Sequence, residues 1–385
     1  MKKNRNTQRF GDLCRVNTQT YSLCSNWDVF YYLDTGNITE NVVSDIQHIV
    51  TSKGDKLPSR ARRLVKKGDI LFSTVRPNQR HYGYLKNVIP HFLVSTGFCV
   101  ISPKENVDGK FIYYFLTQTS VIDKLQAIAE QSTSTYPSIR AEDIANLQIN
   151  VPSLEEQQKI SSILSSLDDK IEVNNQINRN LEEQIQALYR FYFEENEKET
   201  IIRGKLKDIC VYVTEKTSVS ELTLDNYFST ENLMTDKRGA TKASGLPQIA
   251  LTTKCVSGNI LVSNIRPYFK KLLFCDKMGG CSTDVLCFQA KTPQLTNFLY
   301  STLYFDAFFD HMTAGSKGTK MPRGDKTQIM EYPIPIPAPD LLAAFNQQVT
   351  PMIKLCQKCK QENTILSQTR DTLLPKLMSG EITLS

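Results

Sequence analysis

Two arginine-proline pairs carry residue types that could bind an anionic polymer. Arg76-Pro77 and Arg266-Pro267 each end a strand-like segment rich in apolar residues. Guanidinium groups bind phosphates and guanine edges, and the amide and aromatic groups that follow suit bases and backbone. An arginine that holds a turn together through carbonyl groups is the alternative. The side chains that follow the two pairs are Asn78, Gln79, Arg80, Tyr268, Lys270 and Lys271.

Two polar loops and a basic cluster supply further candidate contacts. Residues 131–136 carry hydroxyl groups, residues 315–323 carry cations, and residues 60–67 are densely basic. Such groups bond phosphate oxygens and would set affinity and its salt dependence, although solvated loops and faces are the alternative. We predict contacts to a polyanion from Arg62, Arg63, Arg76, Asn78, Arg80, Thr133, Ser134, Tyr136, Arg266, Tyr268, Lys270, Lys317, Lys320 and Arg323.

Neither a catalytic site nor a metal site is predicted. Cys356 and Cys359 form a CxxC motif without a second pair, and both fall on a heptad stripe, which favours core packing. The spacing of Cys275, Cys281 and Cys287 is even, but Cys287 lies in a strand-like segment. The four histidines do not form a pair with zinc-ligand spacing. Residues 315–320 read GSKGTK, which is not the spacing of a phosphate-binding loop.

Charge alternates along the 385 residues. The net charge is +6 over residues 1–150, −6 over 151–200, +5 over 201–335 and +1 over 336–385. Basic blocks suit a polyanionic partner, although chance scatter of surface charge is the alternative. An apolar run of membrane-spanning length and a signal peptide are both lacking, and the ten cysteines suit reduced thiols. We therefore expect a cytoplasmic protein that does not bind membranes.

The chain repeats itself. Residues 68–71 read GDIL and residues 258–261 read GNIL, an offset of 190 that the two arginine-proline pairs share. Ser95-Thr96 and Ser282-Thr283 match at an offset of 187, and residues 151–152 match 336–337 at 185. Four matches in the same order indicate duplication.

A heptad stripe follows each copy. It extends from Ile160 to Tyr192 and recurs from Phe345 to Leu377 at a constant offset of 185. We predict two long helices paired as an antiparallel coiled coil, with Asn178 and Asn363 fixing the register. Pro351 should kink the second helix or mark where its long run begins. The predicted seam comprises Leu164, Leu167, Ile171, Asn178, Leu181, Leu188, Val349, Met352, Asn363, Leu366 and Leu373.

These elements predict an α/β protein with two pseudo-repeated mixed α+β lobes. Residues 1–150 and 201–335 form the lobes, and residues 151–200 and 336–385 form the long helices. Within the lobes we expect strands over 69–75 and 98–101, a helical region over 109–130 and a last strand over 147–151. The second copy repeats them over 259–265, 285–288, 293–312 and 334–336.

This plan resembles the specificity subunit of type I restriction-modification systems. Besides the duplicated lobes and helices, residues 151–157 (VPSLEEQ) and the C-terminal run 373–382 (LLPKLMSGEI) resemble the family. The resemblance implies that each lobe is a target recognition domain for one half of a split, asymmetric site in double-stranded DNA. The helices would space the halves and dock two modification subunits. The partner subunits would carry S-adenosylmethionine, ATP and magnesium, and this chain would bind no cofactor.

Two other functions stay open. A non-catalytic coiled-coil scaffold with two ligand-binding lobes would also fit the paired helices. A DNA-modifying enzyme in its own right is disfavoured, because an Asn-Pro-Pro-aromatic or Asp-Pro-Pro-aromatic methyltransferase motif and a glycine-rich adenosylmethionine loop are both missing.

Overall fold

The computed structural model describes residues 5–22, 27–131, 136–195 and 202–384. The chain forms two compact units, residues 1–172 with 363–385 and residues 173–362. Each unit contains one sheet-rich lobe and parts of both long helices, so the predicted mixed α/β architecture is confirmed. The boundaries at 150, 200 and 335, which separate helices from lobes, stay a prediction. No helix of the described ranges is long and apolar enough to cross a membrane.

The first lobe consists of short strands and helices. Its strands are β1 (Asn6–Arg9), β2 (Cys14–Val16), β3 (Val29–Leu33), β4 (Ile38–Thr39), β5 (Val42–Val43), β6 (Gln47–Val50), β7 (Ala61–Leu64), β8 (Ile70–Ser73), β9 (Tyr82–Tyr84), β10 (Phe92–Ser95), β11 (Phe98–Pro103) and β12 (Gln148–Val151). Its helices are α1 (Phe10–Leu13), α2 (Gly109–Thr117), α3 (Thr119–Glu130) and α4 (Ala141–Ala145), with 3-10 turns at Thr35–Asn37, Thr51–Lys53 and Pro77–Gln79.

Two four-stranded sheets form the centre of this lobe. One has the order β2-β11-β8-β9 and is antiparallel, and the other has the order β6-β3-β10-β7, in which β3 and β10 are parallel. Strand β8 is buried on both faces: Ile70 and Phe72 pack with Phe111 of α2, whereas Leu71 packs with Leu33 of the other sheet. Burial on both faces explains why β8 is a continuous apolar run.

The second lobe repeats this plan. Its strands are β13 (Arg203–Lys205), β14 (Cys210–Tyr212), β15 (Lys216–Ser218), β16 (Tyr227–Phe228), β17 (Leu251–Cys255), β18 (Ile260–Ser263), β19 (Leu272–Phe274), β20 (Gly279–Cys281), β21 (Val285–Ala290) and β22 (Pro333–Pro335). Its helices are α6 (Leu206–Ile209), α7 (Thr296–Tyr304), α8 (Asp306–Ala314) and α9 (Lys326–Met330), with 3-10 turns at Val219–Glu221, Pro267–Phe269 and Pro293–Leu295.

The two lobes differ at a sheet edge. The sheet β14-β21-β18-β19 matches β2-β11-β8-β9 strand for strand. In the other sheet, β16, β20 and β17 correspond to β3, β10 and β7, but the fourth strand lies beside β17 in the second lobe and beside β3 in the first. The duplicated centre is thus shared, and the periphery has diverged.

The repeated Gly-Asp/Asn-Ile-Leu motif forms the same turn in both lobes. Gly68 and Gly258 have φ of +88° and +89°, a conformation that favours glycine. The side chain of Asp69 accepts a hydrogen bond from the Lys66 amide at 2.8 Å, and Asn259 accepts one from the amide three residues before it at the same distance. Both residue types can make this local bond, which explains the Asp-to-Asn difference between the copies.

The helical region after the central strands is broken in both lobes. We expected helix over 109–130 and 293–312, but Gln118 separates α2 from α3, and Phe305 separates α7 from α8. Both residues are extended, with ψ of 135° and 143°. The carbonyl of Gln118 accepts from the amides of Val121 and Ile122, so the break is also the start of the next helix.

Two long helices, α5 (Leu154–Phe193) and α10 (Pro339–Ser379), follow the lobes. In the first unit, Ile160 and Leu164 of α5 pack with Leu374 and Leu377 of α10. Arg370 donates a hydrogen bond to Asp168 at 2.8 Å. Asp168 comes after Ile160 and Leu164 in α5, whereas Arg370 comes before Leu374 and Leu377 in α10, so the two helices are antiparallel.

The second unit contains the other ends of the same helices, also antiparallel. Tyr189 and Phe193 of α5 pack with Phe345 and Val349 of α10. Asn174 donates to Glu362 at 2.9 Å. Asn174 comes earlier in α5 than Tyr189, whereas Glu362 comes later in α10 than Phe345, as antiparallel helices require. The antiparallel pairing predicted from the heptads is therefore present in each unit.

Burial along the predicted seam is uneven. Asn178, like Leu164 and Val349, is buried, and its side-chain oxygen lacks a hydrogen-bond partner in the described residues. Ile353, outside the predicted stripe, is buried next to a partly buried Met352. The other predicted positions are partly buried: Leu167, Ile171, Leu181, Leu188, Met352, Asn363, Leu366 and Leu373.

Pro351 lies inside α10 rather than at its start. The helix already begins at Pro339, so the prediction that Pro351 marks the start of the long run is wrong. Leu342, Phe345 and Val349, upstream of Pro351, are buried in the core of the second unit. Their burial holds the upstream turns in helical form regardless of the proline.

Candidate nucleic-acid interface

The Arg76-Pro77 pair opens a short turn after β8 with an unusual backbone. Arg76 is left-handed (φ 48°, ψ 68°), Pro77–Gln79 form a 3-10 turn, and Arg80 is left-handed again (φ 56°). The amide of Gln79 donates to the Arg76 carbonyl at 2.9 Å, and that of Arg80 donates to the Pro77 carbonyl at 3.0 Å. A residue with a β-carbon disfavours positive φ, and a residue before proline prefers extended backbone. The surroundings must hold this turn in place.

The second lobe contains the same turn 190 residues later. Arg266 (φ 49°, ψ 65°) and Lys270 (φ 50°) are left-handed on either side of Pro267–Phe269. The amide of Phe269 donates to the Arg266 carbonyl at 3.0 Å, and that of Lys270 to the Pro267 carbonyl at 2.8 Å. The two turns share only the arginine, the proline and a cation at the end, yet they have the same conformation.

The strand ends before the turns are also bonded alike. The Ser73 hydroxyl donates to the Val75 carbonyl at 3.0 Å, and the Ser263 hydroxyl donates to the Ile265 carbonyl at 3.1 Å. Both serines are buried. These bonds bend the chain out of the sheet at the same point in each lobe, and so position the turn.

The structure brings each turn together with the polar loop that sequence analysis singled out. The Arg76 amide donates to the Pro137 carbonyl at 2.9 Å, and the Arg266 amide donates to the Pro322 carbonyl at 2.8 Å. An isolated β-bridge adjoins each of these bonds. Two segments that are about 60 residues apart therefore form one surface in each lobe.

In the first lobe, an exposed aromatic ring meets the turn. The guanidinium of Arg76 lies 5.3 Å from the ring centroid of Tyr136, within cation-π range, and Tyr136 is 60% exposed. Thr133 and Ser134, which we predicted as contacts, lie outside the described residues. The predicted contacts at Arg76 and Tyr136 therefore belong to one cluster.

Arg80 makes hydrogen bonds within the first lobe. Its guanidinium lies 3.3 Å from the Glu40 carboxylate and donates to the Thr119 hydroxyl at 3.1 Å. The backbone N–H of Asn78 donates to the Gln126 side-chain oxygen at 3.2 Å, and the Asn78 side chain is exposed. The turn is thus tied to its lobe at its end, while Asn78 faces solvent.

In the second lobe, a carboxylate holds the end of the turn. Asp306 lies 2.7 Å from the ammonium groups of both Lys270 and Lys237. Their hydrogen bonds lower the pKa of Asp306, and the same carboxylate raises the pKa of Lys270. Lys237 also lies 4.6 Å from the ring centroid of Tyr304. Lys270 thus pairs with an acidic residue, as Arg80 does.

Two of the three predicted cations of the second polar loop are also paired. Lys317 lies 2.8 Å from Asp325, and Arg323 lies 3.0 Å from Asp284. The side chain of Lys317 is 81% exposed and that of Arg323 is 58% exposed. Exposed pairs of this kind are weak, so these cations can exchange partners with little loss of stability.

Two aromatic rings project from the turn of the second lobe. Tyr268 is 49% exposed and Phe269 is 37% exposed, with ring centroids 4.8 Å apart and planes at 61°. The guanidinium of Arg266 donates to the Lys320 carbonyl at 3.3 Å, and Lys320 itself is exposed. The turn that carries these aromatic rings is thus bonded to a basic loop through Arg266.

Arg62 and Arg63 lie on a different sheet from the turn. Both belong to β7, and the guanidinium Nε of Arg62 donates to the Ser59 carbonyl at 3.2 Å. Arg63 is half-buried, and its Nε lacks a hydrogen-bond partner in the described residues. The structure does not join these arginines to the turn and the polar loop.

A third segment supports each turn and was missed by sequence analysis. Glu40-Asn41 (φ 47° and 66°) and Asp236-Lys237 (φ 55° and 59°) are consecutive left-handed residues. The Glu40 amide donates to the Arg80 carbonyl at 2.9 Å, and the Lys237 amide donates to the Lys270 carbonyl at 2.8 Å. Glycine would have signalled such a backbone, and neither pair contains one.

The cysteines singled out by spacing lie in apolar cores. Cys356 and Cys359 are buried on α10, and burial raises the pKa of Cys356 to about 11. Cys275, Cys281 and Cys287 are buried together in the second lobe. The described residues contain no group of three or more His, Cys, Asp or Glu side chains that could hold a metal ion.

Similarity to known proteins was found by sequence. Residues 3–183 match the family described as the type I restriction modification DNA specificity domain. Over 184 residues the chain is 35% identical to the type I restriction enzyme HindI specificity subunit of Haemophilus influenzae, an alignment that covers 48% of this chain. The chain thus spans 39% of the length of that relative.

A second relative and a solved structure align over more of the chain. The type I restriction enzyme MjaIX specificity subunit of Methanocaldococcus jannaschii is 22% identical, over 90% of this chain and 86% of the relative. The crystal structure of a type I restriction-modification S subunit from M. genitalium matches 100% of this chain and 97% of its own, with a TM-score of 0.59 and 15% identity, which establishes similarity of fold. Residues 3–183 are therefore similar in sequence to type I restriction-modification DNA specificity domains, and the whole chain is similar in fold to an S subunit of such a system.

Proposed function

We propose that this chain is the DNA sequence-specificity subunit of a type I restriction-modification complex. Each lobe would bind one half of a bipartite, asymmetric site in double-stranded DNA. The observation that carries the proposal is the duplicated turn, which has one strained backbone in both lobes but different exposed side chains. A backbone conformation that the two lobes share, with side chains that differ between them, suits contacts that differ between two half-sites.

The charge around the turns supports binding to DNA. The turns lie within the two basic blocks of the chain, and cations line both the turn and the polar loop of the second lobe. The acidic partners of these cations keep them in place without DNA. DNA phosphates would replace the carboxylate as the partner of the cation in weak exposed ion pairs such as Lys317–Asp325. Counterion release would then make the affinity for DNA depend on salt concentration.

The remaining functions would belong to partner proteins. The long helices would space the half-sites and dock two modification subunits, and restriction subunits would join that assembly. S-adenosylmethionine, ATP and magnesium would be bound by these partners, and this chain would be non-catalytic. The buried seam of each unit supports this division, because the helices supply a stable support while their outer faces remain exposed.

Mapping methylated adenines tests the proposal, because the modification subunits that this chain would direct to the site would methylate adenine. The chain is produced together with a modification subunit in a host that lacks other adenine methylation, and modified positions are mapped genome-wide. We expect a motif with two short fixed halves separated by a constant number of unread base pairs. A single continuous motif, or none, would contradict the proposal. Failure of the assembled complex to bind DNA at low salt would favour the scaffold function.

A further inference from the structure

We infer that positions 78–79 in the first lobe and 268–269 in the second are the base-reading positions of the two turns, whereas the residues on either side are structural. The inference rests on the proposed function and assigns the roles within it. It names a pair of specificity-determining residues for each half-site.

The residues beside the tips are engaged within their own lobes. Arg76 lies against the Tyr136 ring, and the Arg266 guanidinium donates to the Lys320 carbonyl. At the other end, Arg80 pairs with Glu40, as Lys270 does with Asp306. Side chains engaged in this way support the turn, and we assign their contacts with DNA to the phosphate backbone.

The tips themselves are free to vary because their backbone is held from both sides. In each lobe the amide of the first left-handed residue donates a hydrogen bond to the polar-loop segment, and the carbonyl of the last one accepts a hydrogen bond from the supporting segment. The 3-10 bonds within the turn are the same to within 0.2 Å in the two lobes. The lobes therefore present two residues on a common support, and those residues differ completely: Asn78-Gln79 against Tyr268-Phe269.

The chemistry of the first tip matches adenine. Asn78 and Gln79 are exposed amides, and asparagine and glutamine make paired hydrogen bonds to N6 and N7 of adenine in the major groove. The backbone N–H of Asn78 donates a hydrogen bond to the Gln126 side chain, which restrains the tip before DNA binds. A tip that is already restrained loses less conformational entropy when it binds DNA.

The chemistry of the second tip matches thymine methyl groups. Tyr268 and Phe269 expose aromatic rings on the turn that Arg266 opens, and the Arg266 guanidinium donates to the Lys320 carbonyl. Aromatic and methyl groups make apolar contacts in the major groove, and the neighbouring cation suits the adjacent phosphates. The two tips would therefore read different bases with different chemistry, as an asymmetric site requires.

Exchanging the tips tests the inference. One variant carries Asn78→Tyr and Gln79→Phe, and the other carries Tyr268→Asn and Phe269→Gln. Asn87→Tyr in the first lobe and Leu251→Asn in the second are controls, because both positions are exposed and lie outside the turns. Each chain is assembled with its modification subunit, and bound sequences are selected from a DNA library in which both half-sites are randomised. Circular dichroism and the unfolding midpoint verify folding, and Asn78→Ala and Phe269→Ala serve as milder variants.

Each exchange should change the bases selected in one half-site and leave the other half unchanged. Affinity for the wild-type site should fall roughly 10- to 100-fold, and the controls should match the wild type. Folded exchange variants that select the wild-type site with unchanged affinity would overturn the inference. Loss of assembly with the modification subunit, with DNA selection intact, would also overturn it, since the tips would then be protein contacts. If the wild-type complex selects no split site, the proposed function fails instead.

Discussion

At the scale of single residues, Arg5 connects distant parts of the first unit. One nitrogen of its guanidinium lies 2.6 Å from the Glu156 carboxylate at the start of α5, and another donates to the Met378 carbonyl at 2.6 Å at the end of α10. The side chains of Arg5 and Glu156 are only 11% and 5% exposed. Gly380, with φ of +80°, follows α10 and leaves room for the guanidinium, because a β-carbon there would lie 2.9 Å from it.

Arg5→Ala should destabilise the first unit strongly. The substitution leaves the buried Glu156 carboxylate unpaired, which costs about 3–5 kcal/mol when one partner of a buried ion pair is removed. Lys159→Ala is the control, since its pair with Glu155 is exposed and worth at most about 0.5 kcal/mol. Denaturant unfolding monitored by circular dichroism measures both. Equal effects of the two substitutions would show that the Arg5 pair is not buried in solution.

Glu331 should make stability depend on acidity. Hydrogen bonds from Lys205 and Lys207, at 2.5 and 2.6 Å, lower the pKa of Glu331 to about 2 from an ordinary value of 4.5. Because the folded pKa lies below the unfolded one, the stabilisation is present above pH 4.5 and is lost as the pH falls towards 2. Glu331→Gln should therefore lower the unfolding temperature at pH 7 and have a smaller effect at about pH 3. A difference that does not change with pH would contradict this prediction.

At the scale of elements, apolar contacts to the lobes anchor the long helices. Phe345 of α10 packs with Tyr189 and Phe193 of α5, and these residues also contact Phe298 of the second lobe. The seam becomes polar at the buried Asn174 and at Asn178. A coiled-coil pattern therefore indicates the partner helix correctly, and we expect the ends that touch the lobes to contribute much of the stability.

Phe345→Ala should cost about 3–5 kcal/mol, because it leaves a cavity in a ring cluster where Phe345 is fully buried. Leu355→Ala on the same helix is the control: its side chain is 43% exposed, and leucine and alanine have similar helix propensities. Chemical denaturation of the full chain compares the two. A loss below about 1 kcal/mol for Phe345→Ala would show that the ring cluster does not hold α10.

At the scale of the whole molecule, the two copies differ more in their lobes than in their long helices. The lobes retain one central sheet and one strained turn while their edges and exposed tips differ. The long helices retain a single sequence offset of 185 over the heptad stripe. A support that tolerates change at its exposed loops allows one lobe to be altered without disturbing the other unit.

Replacing the first lobe should therefore change half of the recognised site. A chimera in which residues 1–150 come from another specificity subunit should methylate a site with one new half, the other half being unchanged. Genome-wide mapping of methylated adenines measures this, with a chimera exchanged over residues 201–335 as the reciprocal control. A chimera that alters both halves would show that the lobes do not act independently.

The sequence predicted the duplicated lobes, the presence of the two long helices and the strands β8 and β18. Each of these depends on local periodicity or on an apolar run, which a single sequence displays directly. It also identified both arginine-proline pairs and both polar loops as candidate contacts. It did not predict that Gln118 and Phe305 break the helices, because both lie in segments whose composition is helical throughout.

What only the tertiary structure decided concerns contacts between distant residues. Arg76 meets Pro137, Lys270 meets Asp306, and Arg5 meets Met378 through bonds that link residues 36 to 373 positions apart. No periodicity encodes such pairs, since they arise when elements that are separately predictable pack together. The left-handed backbone of the turns has the same origin: long-range hydrogen bonds hold arginine and lysine in a conformation that their local sequence disfavours.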